Sequence, residues 1–245
     1  MVDAGIDLAS LDPHLRPDFA RSALIVVDTQ NDFADAGSSP VPGTSAVVPV
    51  IEGLLDAYRS ARRPVIHVIR LYDGTDVDRL RRTAIAGGAQ IVRPGSQGSQ
   101  IVPALRLAGS PDLDPSVLLT GAPQRLGPGE FALFKPRWSA FHRTGLDAHL
   151  AGLDLTTLVF AGCNYPNCPR ASIYDASERD YRVVLVRDAI SGVMNYHLEE
   201  ATRIGVVPLP ASAVVAALAR LHRRSTGRAS QLTTHHSSAR PVARR

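Results

Sequence analysis

Six short apolar runs recur along the chain: ALIVVD (23–28), PVIHVIR (64–70), FALFK (131–135), TLVFAG (157–162), RVVLVRD (182–188) and RIGVVPL (203–209). Their hydrophobicity is continuous rather than alternating, which marks strands buried on both faces. Between them lie stretches with helical periodicity at 45–61, 144–151, 169–180, 196–202 and 211–220. Strand-then-helix alternation predicts an α/β fold, a single domain with a six-stranded, mostly parallel sheet and helices on both faces. In such sheets the functional groups gather beyond the carboxyl ends of the strands.

The interval 72–129 fits this scheme least. GGAQIVRPGSQGSQIVPAL (87–105) and GAPQRLGPGE (121–130) read as long loops carrying a short helix, and SVLLTG (116–121) as an extra edge strand. Long loops inside a compact domain are often lids or binding loops. The domain is expected over 21–222, after an N-terminal arm (1–20) and before a tail (223–245) with six arginines and no acid. Taking those six from the net charge of +4 leaves −2 on the remainder, so the basicity belongs to the tail. A tail of that composition is expected to be disordered, and nucleic acid is not an expected partner. No run of apolar residues is long enough to span a membrane. The N-terminus has neither the basic start nor the apolar stretch of a secretory signal, and with only two cysteines a cytoplasmic location is expected.

Both cysteines fall in GCNYPNCPRASIYDA (162–176). A zinc site would want a second ligand pair, and a disulfide across NYPN would close a strained loop. Pro169 suits the first position of a helix, which places Cys168 at the N-cap. There the helix dipole favours a thiolate and lowers the thiol pKa, making Cys168 a nucleophile candidate. Cys163 ends an apolar run and reads as a small buried residue. A catalytic thiol needs a proton acceptor and a partner for its charge. Asp28 and Lys135 each close an apolar run, so parallel strands would bring both to Cys168. Taken singly, Asp28 reads better as a turn residue and Lys135 as a solvated edge charge.

VVDTQNDF (26–33), FKPRWSAF (134–141) and GCNYPNCPRASIYDASERDY (162–181) together resemble the signature blocks of the isochorismatase-like cysteine hydrolases. That family includes nicotinamidases, amidohydrolases of carbamoylsarcosine, biuret and ureidoacrylate, and streptothricin lactam hydrolases. The resemblance spans roughly residues 20–215. It implies an Asp–Lys–Cys triad of Asp28, Lys135 and Cys168, and a homo-oligomer, dimer or tetramer. It also implies a cis peptide between Cys163 and Asn164 that turns the amides of Asn164 and Cys168 toward an oxyanion. The chemistry implied is acyl transfer through a thioester on a small amide, ureide or lactam.

Nicotinamidases of the family hold a metal with an aspartate and closely spaced histidines after the second strand. Here VIHVIRLYDGTDVDRL (65–80) offers only His67, which reads as a core residue, while His142 and His149 read as surface. No metal and no cofactor are expected. Arg70, at the end of the second run, could grip a carboxylate or a urea-like carbonyl, or simply pair with Asp73 or Asp76. Trp138, Tyr165, Phe33 and Phe141 are candidate pocket walls, the two phenylalanines equally candidate core. Three rival readings stand beside an amidohydrolase: a lactam-opening antibiotic hydrolase, an isochorismatase-type vinyl ether hydrolase, and a catalytically silent binding module using the basic tail.

Overall fold

The computed structural model describes residues 7–74, 76–221 and 223. One sheet contains β1 (Ser22–Val27), β2 (Val65–Ile69), β3 (Gln124–Gly127), β4 (Glu130–Phe134), β5 (Thr157–Gly162), β6 (Arg182–Ile190) and β7 (Val207–Leu209). Their order is β3-β4-β2-β1-β5-β6-β7, parallel throughout except for β3 against β4. The α/β architecture is therefore as expected, with seven strands in place of six.

The additional strand is not where the apolar pattern put it. SVLLTG forms no edge strand: α3 (Pro115–Leu118) and a turn occupy it, with the Asp114 carboxylate accepting from the Ser116 N–H. An Asp–Pro pair is a helix start, with the acid as cap and the proline at the first turn. The edge is instead β3, which hairpins onto β4.

Side chains alternate across the sheet as strand geometry requires. Leu24 and Val26 of β1, Val159 of β5 and Val184 of β6 pack with α1 (Thr44–Ser60) and a final helix over residues 211–221. Ile25, Phe160 and Leu185 face the other way, into α4 (Leu146–Gly152), α5 (Cys168–Ser177) and α6 (Asn195–Arg203). No described helix is long and apolar enough to cross a membrane.

The central neighbours β1 and β5 are the point where the topology reverses. From β1 the chain leaves through α1 on one face, and from β5 through α5 on the other, which opens a crevice at their carboxyl ends. Register aligns the strand ends: Val27 lies opposite both Val68 and Gly162, and Ile69 opposite Phe134. Gly162 is required there, because at φ 123° a Cβ would sit 2.1 Å from the Val27 carbonyl oxygen. The ladder runs one residue further, with the N–H groups of Asp28, Lys135 and Cys163 donating to Val68, Ile69 and Val27.

Candidate functional site

That shared register sets Asp28, Arg70, Lys135 and Cys163 side by side just beyond β1, β2, β4 and β5. Asp28 turns out of its strand with φ 50°, in the left-handed region that aspartate tolerates better than most residues. Lys135 is fully buried and its Nζ donates to Asp28 Oδ2 at 2.7 Å. The other oxygen, Asp28 Oδ1, is buried with no hydrogen-bond partner among the described residues. Replacing a buried ion pair with apolar side chains is often neutral or stabilising, so this pair is a poor device for holding the fold together.

Cys168 arrives from the other side as the first residue of α5, with Asn167 rather than Cys168 at the N-cap. Burial pushes its thiol up to about 11, the Asp28 carboxylate adds to the effect, and Lys135 and Arg70 pull the other way. This direction is opposite to the lowered thiol pKa expected from the helix terminus, and burial is its main cause. At pH 7 only about one part in ten thousand is thiolate, since each pKa unit is a factor of ten. Cys163 is pushed up further to about 12, chiefly by burial, and is the inert thiol of the two. Both cysteines are free.

Arg70 is 2% exposed and its Nη2 lies 3.7 Å from Cys168 Sγ. Gln30 clamps its backbone, Oε1 accepting the Arg70 N–H and Nε2 donating to the Arg70 carbonyl, each at 2.7 Å. Neither Asp73 nor Asp76 pairs with it. Asp76 binds Arg137 and Arg143, and the carboxylate facing Arg70 is Asp78, at 3.8 Å. Asp78 Oδ2 also accepts from the Tyr72 hydroxyl at 2.8 Å.

Asp28, Arg70, Tyr72, Asp78 and Cys168 line an open cleft together with Phe33, Trp138, Asn164 and Asn167. Two expected wall residues do not reach it. Tyr165 is fully buried in the core against the His197 ring, and Phe141 stacks on Tyr181 beneath Arg179. Apolar aromatic bulk drew both into the packed face under α5. The Cys163–Asn164 peptide is trans, correcting the expected cis bond. Among the described residues the N–H groups of Asn164 and Cys168 nevertheless find no acceptor.

Tyr72, Asp78 and Asn167 lie in the cleft without having been singled out by the sequence. Only the acidic run DGTDVD beside Arg70 hinted at Asp78. Among the described residues no cluster of three or more His, Cys, Asp or Glu could hold a metal. His67 sits mid-strand in β2, 2.9 Å from Glu130.

The isochorismatase domain matches residues 22–113 and 119–206. A ureidoacrylate amidohydrolase from Methylorubrum extorquens is 32% identical over 69% of this chain and 68% of its own. A probable inactive nicotinamidase from Arabidopsis thaliana is 31% identical over 69% of this chain and 79% of its own. The crystal structure of an isochorismatase family protein from Desulfovibrio vulgaris superposes with a TM-score of 0.67 and 32% identity, covering 81% of this chain and 98% of that one. The strand-end carboxylate, lysine and cysteine thus sit within a matched domain that spans nearly the whole sheet, and the chain belongs to the isochorismatase family of hydrolases.

Proposed function

We propose that the protein hydrolyses a C–N bond in a small amide, ureide or lactam, through a thioester on Cys168. One observation carries the reading: a buried Lys135–Asp28 pair stands beside the Cys168 thiol and leaves Asp28 Oδ1 without a hydrogen-bond partner among the described residues. A carboxylate fixed by lysine on one oxygen, with the other free beside a thiol, is arranged as a general base.

In this reading Asp28 Oδ1 takes the Sγ proton as sulfur attacks the carbonyl carbon. Lys135 and Arg70 hold the negative charge while it moves, and the carbonyl oxygen meets the N–H groups of Asn164 and Cys168. The proton then passes from Asp28 to the leaving nitrogen, the C–N bond breaks, and the thioester remains. Water gives a proton to Asp28 and attacks the thioester carbon. The acid departs and the proton returns to sulfur. Resting protonation suits this sequence, since the thiolate forms only when an electrophile is in place. In a lactam the amine stays tethered, and the product is the substrate plus one water.

Mass spectrometry over a panel of small amides, ureides and lactams tests the reading, with Cys168→Ala as the parallel sample. A product seen with the native protein and lost in Cys168→Ala is the expected result. Turnover that survives in Cys168→Ala would overturn the thioester route and favour a reaction that needs no nucleophilic sulfur.

A further inference from the structure

Asp78 takes no part in the proposed chemistry, yet it is the least ordinary group in the cleft. It occupies the N-cap of α2 (Arg79–Ala86), where an aspartate normally accepts a backbone N–H and stabilises the helix by about 1 kcal/mol. Its side chain caps nothing. It turns inward instead, Oδ2 taking the Tyr72 hydroxyl and standing 3.8 Å from Arg70 Nη1. Asp78 Oδ1 and Arg70 Nη1 are both buried without a hydrogen-bond partner among the described residues. An acceptor and a donor left open side by side, on residues only 6% and 2% exposed, are costly unless a ligand meets them.

Charge around the cleft is ordered by depth. Lys135 balances Asp28, and Arg70 balances Asp78, so the deep end sums to zero. At the mouth Arg81 donates to the Ser39 hydroxyl and has no carboxylate partner among the described residues.

We infer that Asp78 is a specificity-determining residue: with Arg70 it selects an uncharged group bearing an acceptor and an N–H donor beside the scissile carbonyl, and it admits an anionic group only at the mouth, against Arg81. This rests on the hydrolase reading above. A carboxylate held deep would gain Arg70 but face Asp78 at close range, and rejection by a like charge is a recurrent source of specificity.

The test compares carboxylate with carboxamide at two distances from the ureido group. N-carbamoylglycine and N-carbamoylglycinamide form the near pair, ε-ureidocaproate and ε-ureidocaproamide the far pair. We expect kcat/KM to favour the carboxamide by at least about tenfold in the near pair, and to reach parity or favour the carboxylate in the far pair. Asp78→Asn, with folding checked by its thermal transition, should shrink the near-pair ratio several-fold. Arg81→Gln should remove any advantage of the far carboxylate. Should Asp78→Asn fail to fold, the native protein's own near-pair ratio decides. A near pair that favours the carboxylate, or a ratio unchanged in folded Asp78→Asn, overturns the inference. Where none of the four turns over, calorimetric binding of the same compounds to Cys168→Ala carries the comparison: the same order upholds the inference, and no binding or the reverse order overturns it, while the hydrolase reading is decided separately by the panel of amides, ureides and lactams.

Discussion

Two buried charge clusters sit in this sheet, and they are built on opposite principles. At the start of β4, Glu130 Oε1 accepts from His67 Nε2 and Arg59 Nη2, while Oε2 accepts from Arg59 Nε, each at 2.9 Å. Both carboxylate oxygens are occupied. Burial works against the Glu130 charge, but the His67 and Arg59 hydrogen bonds prevail and hold its carboxyl down at about 2. At the strand ends Asp28 Oδ1, Asp78 Oδ1 and Arg70 Nη1 all go unmatched. The filled carboxylate ties α1 to β2 and β4, with His67 Nδ1 its one buried atom left open among the described residues, whereas the strand-end carboxylates each keep an oxygen for a ligand. What separates the two clusters is the occupancy of their carboxylates, since burial and charge are common to both.

Substitutions should split the clusters cleanly. The largest effect belongs to Cys168→Ala: hydrolysis should fall by about 10⁴-fold or more while the thermal transition stays close to native. Lys135→Met strands Asp28 as an unpaired buried charge. It should lower kcat/KM by about 10²-fold or more and stability by about 3–5 kcal/mol in urea titrations. Adding Asp28→Asn should restore much of the stability and none of the activity, which would mark the pair as functional. A native-like rate in Lys135→Met would dissolve the contrast between the clusters.

Smaller effects sharpen the comparison. Iodoacetamide labelling of Cys168 should speed up about tenfold per pH unit from pH 7 to 10, because the thiol titrates near 11. A plateau near pH 8 would mean that the resting enzyme already holds a thiolate. Glu130→Gln should cost about 1–3 kcal/mol of stability at pH 7 and change kcat/KM by less than about threefold. Because folding lowers the Glu130 pKa from 4.5 to about 2, its contribution is full above 4.5 and fades as pH falls through 2. Denaturant titrations at pH 7 and pH 3 should accordingly show less acid sensitivity in Glu130→Gln than in the native chain.

Much of this was legible in the amino-acid order, for a definite reason. Strands buried on both faces must be apolar throughout, so a charged residue closing one stands out, as Asp28 and Lys135 do. Other features depend on contacts that no local pattern encodes. Asp78 belongs to the run DGTDVD, which has the composition of a solvated loop, and only the tertiary path places it over Arg70. Tyr165 and Phe141 were read as cleft walls because aromatic side chains suit either a pocket or a core, and packing chose the core. The Cys168 thiol shows the same limit: helix position was readable, but the degree of burial that governs its proton was not. The arginine tail falls outside the described residues beyond Arg223.

The helix that carries Leu80 and Arg81 to the cleft mouth buries none of its own residues. It is held by half-buried Ile85 packing on the Phe33–Tyr72–Val92 cluster and by polar contacts: Tyr72 to Asp78, Arg81 to Ser39, and Arg82 to the Val77 carbonyl. Mutational drift at the exposed positions of that helix thus carries little folding penalty, while loss of Lys135 alone strands a buried charge. A lineage on this scaffold can explore new molecules by rewriting one short exposed segment and keep an unchanged reaction beneath it.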